Sequence, residues 1–155
     1  MFMPAFFLAA SLLVTQPSPP RTAIGMFDVA VTPNPTVSGQ VGLLALGKTY
    51  HGDFEGSGAG QMLGAGDPGA GTASYVALEQ VTGTLAGRHG AFMLQHSGSM
   101  HDGRQVMNVR IAPGSGTGEL LGISGTMEIV IEGGVHRYTL RYQLGSSERS
   151  DAPTR

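Results

Sequence analysis

From Thr22 onward, apolar and polar residues alternate in short runs separated by Gly, Pro, Asn, Asp or Ser, and no window sustains a helical period. The runs predict eight strands: Ala23 to Thr32, Val41 to Phe54, Gly56 to Leu63, Thr72 to Leu85, Gly90 to Ser99, Arg104 to Ala112, Gly118 to Ile131 and Val135 to Leu144. Their connections carry turn chemistry at Pro33-Asn34-Pro35, Asp67-Pro68-Gly69, Ala86-Gly87-Arg88-His89, Asp102-Gly103 and Glu132-Gly133-Gly134. Successive hairpins imply an antiparallel meander. Eight strands of this length can close on themselves, so the expected fold is all-β, a single eight-stranded antiparallel β-barrel. The glycine-rich run from Ala112 to Gly125 fits two β-segments joined by sharp bends, since glycine tolerates the bulges and close backbone approaches of a curved sheet.

The last strand shows its sides most clearly. His136, Tyr138, Leu140, Tyr142 and Leu144 share a face and are expected to point inward, with Arg137, Thr139, Arg141 and Gln143 outside. Met107, Val109 and Ile111, and then Ile129 and Ile131, are placed inside by the same rule. Two strands set a polar residue on the apparent core side: His96 shares a face with Phe92 and Leu94, and Glu79 with Tyr75, Ala77 and Val81. If that face is interior, Glu79 must be paired, hydrogen-bonded or protonated, and His96 or His136 is a candidate partner for acid-base work. In the opposite register Glu79 meets solvent, with Val76 and Leu78 buried instead.

Composition narrows the function classes. Twenty-five glycines in 155 residues and 13% charged residues describe a turn-dense, weakly charged chain, and 41% apolar residues can fill one core. A net charge of -2 with nine basic residues offers no basic stripe for nucleic acid. The absence of cysteine excludes disulfides and thiol catalysis. Residues 1–22 differ from the rest. Ala5 to Val14 is apolar and uncharged, and a Pro-rich linker follows. The run is too short for a membrane-spanning helix, which needs about 20 residues, so no integral membrane span is expected. It fits the core of a secretory signal, yet no Lys or Arg precedes it and no A-x-A site follows. Two readings stand: export to the periplasm or medium, or a cytoplasmic protein whose first residues are a disordered extension or a misassigned start upstream of Met26. The barrel domain is expected over 23–145, and 146–155 as a disordered tail.

Motifs for strong chemistry are missing. His96, His101 and Asp102 lie close in sequence, but a five-residue step puts the two histidines on opposite sides of a strand, and Asp102-Gly103 is a turn; no metal site is expected. Gly64-Ala65-Gly66-Asp67-Pro68-Gly69 satisfies G-x-G-x-x-G on paper. Pro68 spoils the amide cradle, and a strand follows where a dinucleotide site needs a helix. No cofactor is expected.

Five stretches occur in a characteristic order: Gly25 to Val29, Tyr50 to Gly58, Tyr75 to Leu85, Gly87 to His96 and Gly114 to Gly125. Over Ala23 to Leu144 the chain thereby resembles a bacterial family of unknown function (domain of unknown function 3224), whose members resemble plant allene oxide cyclase in fold. The resemblance implies an allene oxide cyclase-like barrel, a homodimer or larger homo-oligomer, and a cavity open at one end. In allene oxide cyclase such a cavity steers a reactive intermediate by confinement more than by strong acid or base. Two functions follow from different classes. The first is a binder or cyclase/isomerase-like protein for a small apolar molecule, with Glu79, His96, His136, Tyr138 and Tyr142 as the polar groups of the cavity. The second is a non-catalytic barrel acting through self-assembly or partner binding at its outer face.

Overall fold

In the computed structural model, residues 19–34 and 40–145 are described. The export and tail readings fall largely on residues 1–18 and on 146–155, and most of the connection that begins at Pro33-Asn34 falls on 35–39, all outside the described residues. The strands are β1 (Arg21–Pro33), β2 (Val41–Gly52), β3 (Phe54–Asp67), β4 (Thr72–Leu85), β5 (Arg88–His101), β6 (Arg104–Ile111), β7 (Thr117–Gly118), β8 (Ser124–Glu132) and β9 (Val135–Gln143). Their order is β4-β3-β2-β1-β9-β8-β6-β5, with β4 also paired to β5. The result is a closed antiparallel barrel of eight strands, and β7 adds a short ninth along the edge of β5.

Hairpins of two residues close three of the corners. Ala86-Gly87, Asp102-Gly103 and Gly133-Gly134 all have positive φ at both positions, the geometry whose twist matches that of the flanking strands. Asp67-Pro68-Gly69 instead forms a 3₁₀ turn over Pro68–Ala70, with the Asp67 carboxylate accepting from the Gly69 N–H at 2.8 Å.

Curvature comes from glycines that face one another across strands: Gly25 opposite Gly52, Gly56 opposite Gly83, Gly83 opposite Gly90, and Gly90 opposite Gly118. A Cβ on Gly56, Gly83 or Gly90 would strike the carbonyl oxygen of Thr82, Glu55 or Thr117 on the neighbouring strand. This row lets adjacent strands bend together, and alanine there would force them apart.

The expected strand Gly118 to Ile131 is corrected to two pieces. Gly118 and Gly122 take φ of 61° and 75°, and the chain between β7 and β8 coils through turns in which Leu120 N–H donates to Thr117 O and Ile123 N–H to Leu120 O, each at 3.1 Å. These turns push Leu120 and Ile123 into the barrel end, where both are fully buried. The segment is a plug. Alternation alone misses it because Leu120 and Ile123 are three apart, a spacing a turn can bury and a strand cannot.

The two ends consequently differ. At the plugged end the interior is dry: Ala23, Phe54, Leu85, Phe92, Leu120, Ile123, Tyr138, Leu140 and Tyr142 are all buried. At the opposite end the inward positions Leu44, Met62, Tyr75, Met100, Met107, Ile129 and His136 are only partly covered. Among the described residues no plug covers them.

Candidate ligand site

Glu79 sits midway along β4 and points inward, with none of its surface exposed. Strand alternation puts it in line with Tyr75, Ala77 and Val81, and alternation on β2 and β5 aims Lys48, Tyr50 and His96 at the same point. Lys48 Nζ donates to Glu79 Oε2 at 2.8 Å, and the Tyr50 hydroxyl donates to Oε1 at 2.8 Å. His96 Nε2 lies 3.0 Å from Oε2. The carboxylate lies off the ring N–H direction, and Nε2 has no aligned hydrogen-bond partner among the described residues. Gly58 makes the room, since a Cβ there would collide with Glu79 Oε1.

The electrostatics follow from burial and these partners. Burial by itself would raise the Glu79 carboxyl. The His96 ring, the charge and hydrogen bond of Lys48 and the Tyr50 hydroxyl together outweigh it and hold the group below the usual carboxylate range. Burial lowers the Lys48 ammonium, against the pull of Glu79. Burial, then the adjoining carboxylate, raises Tyr50 far above the normal phenol range, so its proton stays on. Lys48 Nζ also lies 4.4 Å from the centre of the Phe27 ring, within cation-π range.

A cavity of about 360 Å³ occupies the open end, lined by Leu44, Met62, Tyr75, Met100 and Gln105 among others. Neither Glu79 nor His96 is on its wall. Between cavity and cluster the inward positions are Leu46, Gly60, Ala77 and Gly98, three of which carry one carbon or none. The Tyr75 ring lies against Gly98 in the place a side chain would take. A larger concavity, about 970 Å³, runs along the outside of the barrel, where Leu63, Val76, Leu78 and Gln80 line it.

Of the residues expected to form one site, Glu79 and His96 meet. His136 lies toward the open end with its ring 5.1 Å from that of Phe27. Tyr138 is in the dry half, where its hydroxyl accepts from Phe54 N–H at 3.0 Å and faces Phe54 O at 3.3 Å, and Tyr142 is buried there as well. Neither tyrosine borders the cavity. His101 is exposed beside the Asp102 turn, and among the described residues no group of three His, Cys, Asp or Glu could hold a metal ion. Sequence reasoning misses Lys48 and Tyr50. Two signals point to Lys48: it alternates with Leu46 and Tyr50, and it is the only lysine in the chain, the other eight basic residues being arginines.

Among the described residues no helix is long and apolar enough to cross a membrane. The profile of the family described as protein of unknown function (DUF3224) matches residues 23–142. The crystal structure of a DUF3224 protein of unknown function from Shewanella oneidensis MR-1 is similar, with 44% sequence identity and a TM-score of 0.73 over 81% of this chain and 98% of that one. No curated protein matches the chain. A match over nearly the whole barrel, joined to a similar solved barrel at this identity, makes the chain a member of the DUF3224 family.

Proposed function

We propose that the barrel takes a small, largely apolar molecule into its open half and steers a cyclisation or isomerisation of it by confinement, with the Glu79 cluster one layer of inward residues below. The observation that carries this reading is the buried Glu79 with three polar partners beneath a cavity that the described residues leave open. A buried ion pair is weak evidence for stability, because apolar residues of equal size often do as well; a charged cluster beneath a cavity is instead a common mark of a functional site. The cavity volume falls within the range of about 300 to 1,000 Å³ usual for ligand sites. Likeness of family members to allene oxide cyclase suggests the reaction class.

Gly64 offers the test. It lines the cavity, lacks a left-handed backbone, and a Cβ added to it would meet nothing nearer than Leu44 Cδ1 at 3.6 Å. Gly64→Phe is therefore expected to fill the cavity while leaving the fold intact. Native mass spectrometry of protein purified from its own host should show a bound small molecule in the parent and none in Gly64→Phe. Equal occupancy in both would sink the reading.

A second reading, self-association through the outer face, is favoured by one observation. Leu63 and Val76 face each other across β3 and β4 on the outside, and with Leu78 they are 45%, 54% and 49% exposed. Sedimentation velocity of the parent and of Leu78→Lys checks it: a parent dimer that dissociates on substitution supports the reading, and a monomeric parent removes it.

A further inference from the structure

We infer that Lys48 is a carbonyl-binding residue, which captures an aldehyde or ketone from the cavity as a protonated imine held against Glu79. The inference rests on the ligand-binding reading above and names the substrate class of that site.

Three observations converge on it. Lys48 is the only lysine among nine basic residues, and it lies inside the barrel with 8% of its surface exposed. Had the role been only to neutralise Glu79, arginine would serve better, since its planar fork grips a carboxylate with two hydrogen bonds. Lysine alone of the two can give up its proton and attack a carbonyl carbon. The surroundings also suit the product. Glu79 Oε2 at 2.8 Å is a ready counterion, and the Phe27 face at 4.4 Å stabilises positive charge on the nitrogen. Above the nitrogen, Gly60, Ala77 and Gly98 carry one side-chain carbon or none, which leaves Leu46 and the Tyr75 ring as the side chains between the cluster and the cavity. Burial, which makes the ammonium easier to deprotonate, works in the same direction.

The step balances within the cluster. The Lys48 ammonium passes a proton to the Glu79 carboxylate, and the neutral amine adds to the carbonyl carbon, forming the C–N bond as the carbonyl π pair moves to oxygen. The second nitrogen proton moves to that oxygen, and Glu79 returns the first one, so the oxygen leaves as water. The nitrogen lone pair then forms the C=N bond, and a cationic imine remains beside an ionised Glu79. One cation has replaced another opposite the same anion, so the buried charge balance is unchanged. His96 Nε2 lies 3.0 Å from the same carboxylate oxygen and lacks an aligned partner among the described residues.

The test uses cinnamaldehyde with sodium cyanoborohydride, and cinnamyl alcohol as the non-reacting analogue. Reduction of the imine adds the mass of the aldehyde less one oxygen atom. The only primary amines in the chain are Lys48 and the terminal amine, so peptide mapping assigns the adduct directly. Labelling at Lys48 is expected at least about tenfold faster in the native protein than in the urea-unfolded chain, a modest share of what positioned acid-base groups supply. It should be suppressed by excess cinnamyl alcohol. Lys48→Arg keeps a cation opposite Glu79 and should fold, but only its terminal amine should be labelled. If cinnamyl alcohol shifts the amide resonances of Met62, Tyr75 and Met100 while Lys48 stays unlabelled or reacts no faster than in urea, the imine is overturned and the cavity reading stands. If neither the alcohol nor the aldehyde engages the native protein, both fall.

Discussion

The two halves of the barrel interior are built from the same strands and by the same alternation, yet one is packed and the other is left open. At the plugged end, Phe54, Leu85, Phe92 and Leu140 meet Leu120 and Ile123 from the loop between β7 and β8, and Tyr138 satisfies its hydroxyl on Phe54. At the other end, Met62, Tyr75 and Met100 surround a cavity that no loop among the described residues covers. Under the proposed function one half holds the molecule together and the other takes the ligand, with the Lys48–Glu79 pair at the boundary. Methionine suits the open half for the same reason, because its flexible thioether fits more than one occupant.

Breaking the boundary should have the largest effect on stability. Glu79→Ala removes the acceptor for Lys48 and Tyr50 and leaves a buried ammonium without a counterion, which costs about 3 to 5 kcal/mol. Lys48→Met exposes the reciprocal problem at Glu79. The double variant Lys48→Met, Glu79→Ala removes both charges and should cost clearly less than the two single changes added together. Urea unfolding of the four proteins measures this. Single variants that lose less than about 1 kcal/mol would mean the pair is solvated, as surface pairs are.

Within the dry half, Leu120→Ala is expected to cost about 2 to 5 kcal/mol, the range for a fully buried leucine whose neighbours cannot collapse into the gap. This change tests the plug. A loss near zero would show that the turns between β7 and β8 lie on the barrel end without sealing it.

A pH effect then separates the boundary from both halves. Glu79 is held below its ordinary value, so in the acid range the unfolded chain takes up a proton before the folded one does. Stability from this group is therefore complete above the ordinary glutamate range and is lost as pH falls through that range toward the lowered folded value. Glu79→Gln carries no titrating group at this site, so its stability should fall less steeply over the same acid interval than the parent's. Parallel acid curves would show that other carboxylates carry the whole effect.

Much of this division was legible in the sequence, and the reasons are particular. Alternation over Val135 to Leu144 and Arg104 to Ala112 fixed which side faces in, because a one-residue slip would turn Leu140, Tyr142 and Ile111 to solvent. The same rule found Glu79 and His96 as polar residues on an apolar face. It could not tell which end of the barrel is filled, since Tyr138 and Tyr142 lie on the same face as His136 and differ only in distance from a plug that alternation does not reveal. Lys48 escaped notice because a lone lysine in a strand usually reads as solvent-facing. Its inward parity and its uniqueness in the composition carry weight only once Glu79 opposite it is known to be buried.

The smallest change closes the comparison. Met100 lines the cavity and is only partly buried, so one flank of it lacks packed side chains among the described residues. Truncating it removes little surface that folding had taken from water, and the space left joins a cavity already open to solvent, so no sealed void forms. Met100→Ala is accordingly expected to cost under about 1 kcal/mol, against about 2 to 5 for Leu120→Ala. Urea unfolding of the two variants side by side decides whether the halves differ as described. Equal losses would mean that the open end is packed as tightly as the plugged one, and a cavity with room for a ligand could not be there.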